Sequence, residues 1–439
     1  MILQSWAEQL LKASCPPEMI DRHVLDTAAA FLAGVRTREG QALSELYGER
    51  VDISERVAAA AAIARLSECD DIHLPSCVTP GSVVIPVALG LGVSGTRDAF
   101  NRAVAAGYAA GLRLGIAMGG PKALAGGVWP TLAAAPLMAA VTASCLRGHD
   151  RDQLAHAMAL ALSGTNGRLG RPMGEPSGRW FLMGEAVLRG IRASEAAGKG
   201  FRGDLMLVSS PWLTAQAGHE DVDIGAFDSS APAPSISEVG FKPFPIARQG
   251  ANAVVAFQHL LSEGLDPQRI KTIEVFVPAM NAALLNRPVL DDDRLSRLSN
   301  IGLQLACAAF APDRLYDLER AAQFTAPLLS FAQCVTVTQA SDLQAYLPQR
   351  WAARVVVNTD SERLEETVVS APFDHDAPNL TQVLRDKWRR LLLPQDMRDF
   401  FENSVYGMAS EGRAVLWQRI EACVSMAFER RREQGPVKG

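Results

Sequence analysis

The sequence is short of basic excess, of cysteine pairs and of long apolar runs, and each shortage removes a class of function. Lys and Arg number 43 against 48 Asp and Glu, a net charge of -5, so no basic field awaits a phosphate backbone. The basic clusters are short, at 385–390 and 430–432. Nucleic acid is therefore not an expected partner. The seven cysteines stand singly at 15, 69, 77, 145, 307, 334 and 423. Without a framework spacing they predict no disulfide, and reduced thiols fit a cytoplasmic protein.

No basic end followed by an apolar core opens the chain. MILQSWAEQLLKASCPPEM is amphipathic and carries acids, unlike a secretory signal. Only Val128–Leu146 is about long enough to span a bilayer, and it is rich in Ala, isolated, without a flanking aromatic belt, and contains Pro136. It reads as a helix buried at the centre of a helical domain, with no membrane partner. Acids are missing altogether between Asp98 and Asp150, where only four basic residues occur. That stretch is expected inside the first domain. No internal repeat is found.

What is present describes a large folded protein. A chain of 439 residues, 48% of them hydrophobic, exceeds what one core usually supports and predicts two domains. MIDRHVLDTAAAFLAGV, ISERVAAAAAIARLS, TRDAFNRAVAAGYAAGLRLG and DRDQLAHAMALALSG space their apolar residues by three and four, the helical period. Thr96 and Asp150 sit at N-cap positions. From about residue 225, FDSSAPAPSISEVGFKPFP has the Ser, Pro and Ala content of a junction. Beyond it IKTIEVFVP, WAARVVVNT and LEETVVSAP read as strands, separated by the helical runs ANAVVAFQHLLSEG and NIGLQLACAAFA, with helices again from Asp376. The expected fold is mainly α: a discontinuous all-helical domain of residues 1–238 and 376–439, and a smaller α+β lid of residues 239–375.

One motif misleads. GLGVSG at 90–95 fits G-x-G-x-x-G and follows the apolar run SVVIPVAL, the setting of a dinucleotide fingerprint. The acid expected about twenty residues on for the ribose is missing, Pro86 interrupts the supposed strand, and no alternation of strands and helices surrounds it. A nicotinamide-dependent oxidoreductase is thereby disfavoured.

Chemistry concentrates in ECDDIHLPSCVTPG, residues 68–81. Cys69, His73 and Cys77 repeat every four residues, but Pro75 and the Pro80-Gly81 turn oppose a continuous helix, and C-x3-H-x3-C is not a usual zinc spacing. No metal is expected. Asp70, Asp71 and His73 in a loop can act as an acid/base group, since a carboxylate orients a neighbouring imidazole. A solvated polar loop is the other reading, and the residues alone leave both open. GFKPFPIARQG at 240–250 is a second candidate. Its prolines fix the directions of Lys242 and Arg248, which suits a small carboxylate or, equally, a rigid linker.

DDIHLPSCVTPGSVVIPVALGLG resembles the DDTH…HPG…P.ALA signature of the MmgE/PrpD family, the 2-methylcitrate dehydratases and cis-aconitate decarboxylases. In the same order, LDTAAAFLAG at 25–34 resembles LDTLGVALAG, GVWPT at 127–131 resembles GFHPT, the stretch at 178–204 resembles TKPLHAG to GFTGP, and FKPFP at 241–245 resembles FKPYP. The resemblance implies a helical domain with an α+β lid, a homodimer, a pocket between the domains, and cofactor-free chemistry: a proton is removed beside a carboxylate, or a carboxylate is lost. It thus implies a lyase, of hydro-lyase or carboxy-lyase type, with an epimerase or isomerase as the alternative.

Several family positions differ. Ile72 stands for Thr, Thr79 for the His before Pro-Gly, Trp129 for the His of GFHPT, and Arg179 for the Lys of TKPLHAG; Asn300 lies where some members carry Tyr. Asp71, His73 and Lys242 are retained, and they are the expected catalytic residues. Asp70, Ile72, Thr79, Gly81, Trp129, Arg179, Arg248 and Asn300 are the expected substrate-binding residues. Losing two histidines points to a small carboxylic acid other than methylcitrate or cis-aconitate, with a more apolar portion toward Ile72 and Trp129. A carboxylate-binding protein without catalysis is a further alternative.

Overall fold

The structure, a computed structural model, describes residues 1–48, 52–92, 94–168, 178–228, 230–289, 294–319, 325–402 and 410–434. The protein is mainly α, 64% helical, with one small four-stranded sheet among the described residues. The chain divides into two compact units, one of residues 1–239 and 392–439 and one of residues 240–391.

In the first unit the apolar stretch at 128–146 becomes helix Pro130–Leu146, buried along nearly its whole length. It packs against helices Arg97–Ala117 and Gly178–Gly198. Small residues permit the approach: at Gly190 a Cβ would collide with the Pro136 carbonyl. A helix with apolar residues all round must be covered on every side, which places this one at the centre. No helix among the described residues is long and apolar enough to cross a membrane. The run SVVIPVAL, strand-like in its composition, lies in helix Gly81–Gly92 with Pro86 inside it. GLGVSG therefore begins in the last turn of a helix and follows no strand, which removes the setting a dinucleotide fingerprint requires.

Caps are where the sequence put them. Thr96 accepts from Ala99 N–H at the start of Arg97–Ala117, and Asp150 forms a reciprocal capping box with Gln153 before Arg151–Ser163. Each such cap contributes about 1 kcal/mol. The terminal helix Ser410–Gln434 packs on Arg38–Gly48, Pro17–Gly34 and Ile53–Leu66 within the same unit.

The second unit is built on β1 (Ile270–Val277), β2 (Val335–Gln339), β3 (Ala353–Thr359) and β4 (Arg363–Val368), in the order β2-β1-β3-β4. β1 runs parallel to β2 and antiparallel to β3, which pairs antiparallel with β4. Residues Ile273, Val275 and Val277 alternate into the core, and helix Arg248–Ser262 covers β3 and β4. β2 was not read from the sequence, because VTVTQ is short and largely exposed and carries a weak alternation signal. Residue 376 does not mark the boundary in this division: helix Leu380–Leu391 belongs to the second unit and contacts the 3-10 turn Pro312–Tyr316. Its Arg390 lies 5.0 Å over the Tyr316 ring, a contact no helical pattern announces.

Candidate active site

The loop at 68–81 follows helix Ile53–Leu66 and precedes Gly81–Gly92. It is not a solvated loop: every residue from 68 to 81 is buried except Pro75, which is half-buried. Burying so many polar groups is costly unless they are bonded, and the bonds can be followed one by one. Glu68 and Cys77, both at φ 54°, are non-glycine residues in the left-handed region. Backbone held there costs about 1–3 kcal/mol and clusters at functional sites.

Asp71 is the centre of the loop. Its Oδ1 accepts from Gly81 N–H at 2.8 Å. Its Oδ2 meets His23 Nδ1 at 2.8 Å and accepts from the Tyr108 hydroxyl at 2.7 Å. Gly81 is required here by a close approach, since a Cβ would stand 2.7 Å from both Asp71 Oδ2 and Thr27 Oγ1. The Thr27 hydroxyl is buried without a hydrogen-bond partner among the described residues. Burial, and then the Asp71 carboxylate, push the Tyr108 phenol well above its ordinary range, with Asp26 and Asp70 adding to it. Tyr108 is therefore a protonated donor at every physiological pH.

His73 closes the turn of the loop. Its N–H donates to Val78 O at 2.9 Å, and its Nδ1 faces Ser76 Oγ at 2.9 Å and Ser76 N–H at 3.3 Å. Both Asp71 oxygens are engaged with Gly81, His23 and Tyr108, so the imidazole that Asp71 orients is that of His23. The two rings have opposite tautomers when neutral. A carboxylate can only accept, so His23 carries its hydrogen on Nδ1 and its Nε2 is an acceptor; a backbone N–H can only donate, so His73 accepts at Nδ1 and carries its hydrogen on Nε2.

Asp70 turns the other way, toward Arg65 at 3.3 Å, which also meets Glu68 at 3.1 Å. Burial would lower the Arg65 pKa, but the Asp70 and Glu68 carboxylates outweigh it and hold the guanidinium above its ordinary value. Arg65 lies 5.0 Å over Trp129, and Arg179 lies 5.8 Å over the same ring. Trp129 and Trp180 meet edge to face at 5.9 Å. Trp129 also fixes the start of helix Pro130–Leu146, donating its N–H to Gly167 O at 2.8 Å. Thr79 is bound to Thr131, N–H to Oγ1 at 3.1 Å and hydroxyl to hydroxyl at 3.2 Å. Ile72 is buried. Burial pushes the Cys77 thiol far up, keeping it a thiol. Among the described residues no group of three His, Cys, Asp or Glu is arranged to hold a metal ion.

The second unit holds the other candidates. Lys242 is buried, between the buried Phe241 and Phe244 in the sequence. Arg248 is buried and committed internally: its guanidinium donates to Asp374 at 2.6 Å and Asn252 at 2.9 Å, and stacks 4.8 Å over Phe373. Burial lowers its pKa despite the Asp374 carboxylate. Asn300 caps helix Ile301–Phe310, accepting from Leu303 N–H and donating to Arg287 O.

No motif in the sequence singles out His23, Tyr108, Arg65 or Trp180. His23 and Tyr108 were visible only as members of helical runs. His23 stands two residues before LDTAAAFLAG, and Tyr108 follows Gly107 on a helix whose one acid is Asp98 in its first turn; a buried donor is the usual companion of a buried carboxylate, which is the signal that could have found them.

The sequence model of the MmgE/PrpD N-terminal domain matches residues 3–224, just over half of the chain, and the protein belongs to the MmgE/PrpD family. That family includes lyases such as dehydratases. No curated protein matches the chain.

Proposed function

We propose that the protein is a cofactor-independent lyase that moves a proton on the carbon beside a carboxylate of a small organic acid. The observation that carries this reading is the pair of buried imidazoles, one held by Asp71 at 2.8 Å and one by Ser76 at 2.9 Å, whose partners require opposite tautomers. Dehydration needs a proton taken from carbon and a proton given to the leaving oxygen. His23 Nε2 takes the proton from the carbon beside the carboxylate; the electron pair left behind forms the carbon–carbon double bond and expels the hydroxyl from the next carbon. The His73 Nε2–H donates a hydrogen bond to the leaving oxygen, and protonated His23 delivers the proton that makes it water. His23 is thereby returned to its neutral form, and no redox partner is needed. Asp71, stabilised by Tyr108 and Gly81 N–H, orients His23 and offsets the imidazolium charge.

Lys242 binds the substrate carboxylate in this reading, and Arg179 beside the Trp129–Trp180 pair meets a second acid group or a polar end of the substrate. The Trp129 and Ile72 side chains favour a substrate with an apolar portion, distinct from methylcitrate and cis-aconitate. Arg248 and Asn300 hold structure. Compartment and oligomeric state follow the family proposal, a cytoplasmic homodimer.

The test is incubation of the protein with a panel of small hydroxy and unsaturated acids in deuterium oxide, followed by proton NMR. Exchange at the carbon beside the carboxylate, with formation of an alkene and loss of both signals in His23→Gln, is expected. Exchange of equal rate in His23→Gln and His73→Gln would remove both imidazoles from the chemistry, and exchange with inversion but no alkene would make the protein an epimerase.

A further inference from the structure

A second polar site lies away from the 68–81 loop. Helix Ile2–Leu11, helix Arg97–Ala117 and the segment before the 3-10 turn Ile236–Glu238 enclose a cleft of about 240 Å³, lined by Trp6, Leu10, Ala109, Arg113 and Pro234 among others. Arg113 is the charge in its wall. It is 2% exposed, and its one hydrogen bond is donated to the neutral Gln9 Oε1 at 2.6 Å. Among the described residues no carboxylate pairs with it. Burial lowers its pKa, and no charged neighbour acts on it. Arg113 differs in this from two other buried arginines, since Arg65 has Glu68 and Asp70 and Arg248 has Asp374.

A buried guanidinium without a counter-charge is costly to keep, and a bound anion offsets that cost with two parallel N–H donors. A second donor without a partner stands on the same cleft: Trp6 Nε1–H is buried and has no acceptor among the described residues. Lys12, at the rim, is already paired with Glu8 at 2.7 Å. The small side chains of Ala105 and Ala109 stand two turns and one turn before Arg113 on the same face of the helix and leave the space open. Leu10, Pro234 and Ile236 supply apolar walls. We propose that this cleft binds a small monocarboxylate with a short apolar tail, its carboxylate on Arg113 and its tail against Leu10, Ala109 and Pro234. The volume is below the roughly 300 Å³ at which drug-sized ligands begin, which limits the tail to a few carbons. One guanidinium suits one negative charge, so a dianionic phosphate is the poorer fit.

The experiment is calorimetric titration of the full chain with butyrate and hexanoate, with butyramide and inorganic phosphate as controls. Ala109→Glu is the decisive variant, because a Glu four residues before Arg113 can supply the missing carboxylate from within the cleft while favouring the helix. It is expected to keep or raise Tm and to weaken butyrate binding by at least about tenfold, the worth of one charge-assisted contact. Arg113→Met should do the same to binding. Lys242→Met should leave cleft binding within about twofold of wild type, roughly the limit of a charge not in contact, which separates this cleft from the carboxylate site of the proposed lyase. Butyrate affinity unchanged in Ala109→Glu, equal affinity for butyramide, or loss in Lys242→Met alone would overturn the proposal.

Discussion

The buried loop at 68–81 and the cationic segment at 240–250 use the same device with opposite charges. The loop carries three acids, Glu68, Asp70 and Asp71, and the segment two cations, Lys242 and Arg248, and in each several hydrogen bonds converge on one of them. In the loop Asp71 gathers three donors, His23, Tyr108 and Gly81 N–H, around one carboxylate. In the segment Arg248 spreads one guanidinium over Asp374, Asn252 and the Phe373 ring. The difference lies in what surrounds them. Asp71 holds an imidazole, a group that can take and give a proton, whereas Arg248 is held by groups that only anchor it. The proposed proton chemistry at the loop rests on that difference.

The sharpest way to break this comparison is to delete the two central charges. Asp71→Leu strands three buried donors at once, and the expected loss is about 3–5 kcal/mol of stability with turnover abolished. Asp71→Asn keeps one oxygen for Gly81 N–H and should fold with a smaller loss, yet turnover should still fall by about two or more powers of ten because the amide cannot hold His23 as the carboxylate does. Urea denaturation alongside alkene formation measures both. Arg248→Met is expected to cost about 3 kcal/mol as well, by leaving Asp374 buried with only the Ala371 N–H at 2.8 Å and Arg350 at 3.9 Å to offset its charge. Its KM, measured on the folded fraction, should not move. Lys242→Met should instead raise KM by about tenfold or more, measured on the folded fraction. If Arg248→Met raised KM while Lys242→Met did not, the two roles would have to be exchanged.

A smaller effect is expected at the tryptophan pair. Arg179→Ala removes one guanidinium from a half-buried stack 5.8 Å from Trp129 and 5.7 Å from Trp180. Such a contact contributes about 0.5–1 kcal/mol. Chemical denaturation should show at least that loss, while a rise in KM beyond about tenfold would mean that Arg179 also holds substrate, as proposed.

Much of this was legible in the sequence because periodicity and composition are local. The helices of the first half, the caps at Thr96 and Asp150, and strands β1, β3 and β4 each announce themselves within a dozen residues. The loop was legible as a concentration of acids and a histidine, and the family through an ordered set of short motifs. Its wiring was not. Which imidazole Asp71 orients depends on helix Pro17–Gly34 lying beside the loop, 48 residues away in sequence, and on Tyr108 arriving from 37 residues the other way. Proximity in sequence favours His73, but a turn closed by Ser76 faces its Nδ1 inward and leaves Asp71 to a partner from another helix. Arg248 shows the same limit, since Asp374 lies 126 residues beyond it.

The mildest test compares the two regions by titration alone. Tyr108 in the first unit and Tyr316 in the second are both pushed above the ordinary tyrosine value by burial, but the strongest charged neighbour of each acts in the opposite direction, with Asp386 and Asp313 adding a smaller upward push at Tyr316. The Asp71 carboxylate pushes Tyr108 further up, while the Arg390 cation draws Tyr316 back. In alkaline titration followed by phenolate absorbance, Tyr316 should ionise before Tyr108, with Tyr316→Phe removing the earlier step and Tyr108→Phe the later one. The linked stability has a definite sign. A phenol whose folded pKa is raised contributes stability that is fully present below its unfolded value, about 10, and is lost as pH rises through the folded value. Unfolding free energy measured from pH 7 to 9 should thus be insensitive to Tyr108→Phe beyond the lost hydrogen bond, about 1–3 kcal/mol. Above pH 10 wild type should lose stability faster than Tyr108→Phe, and parallel curves there would mean that the phenol is not held protonated against Asp71.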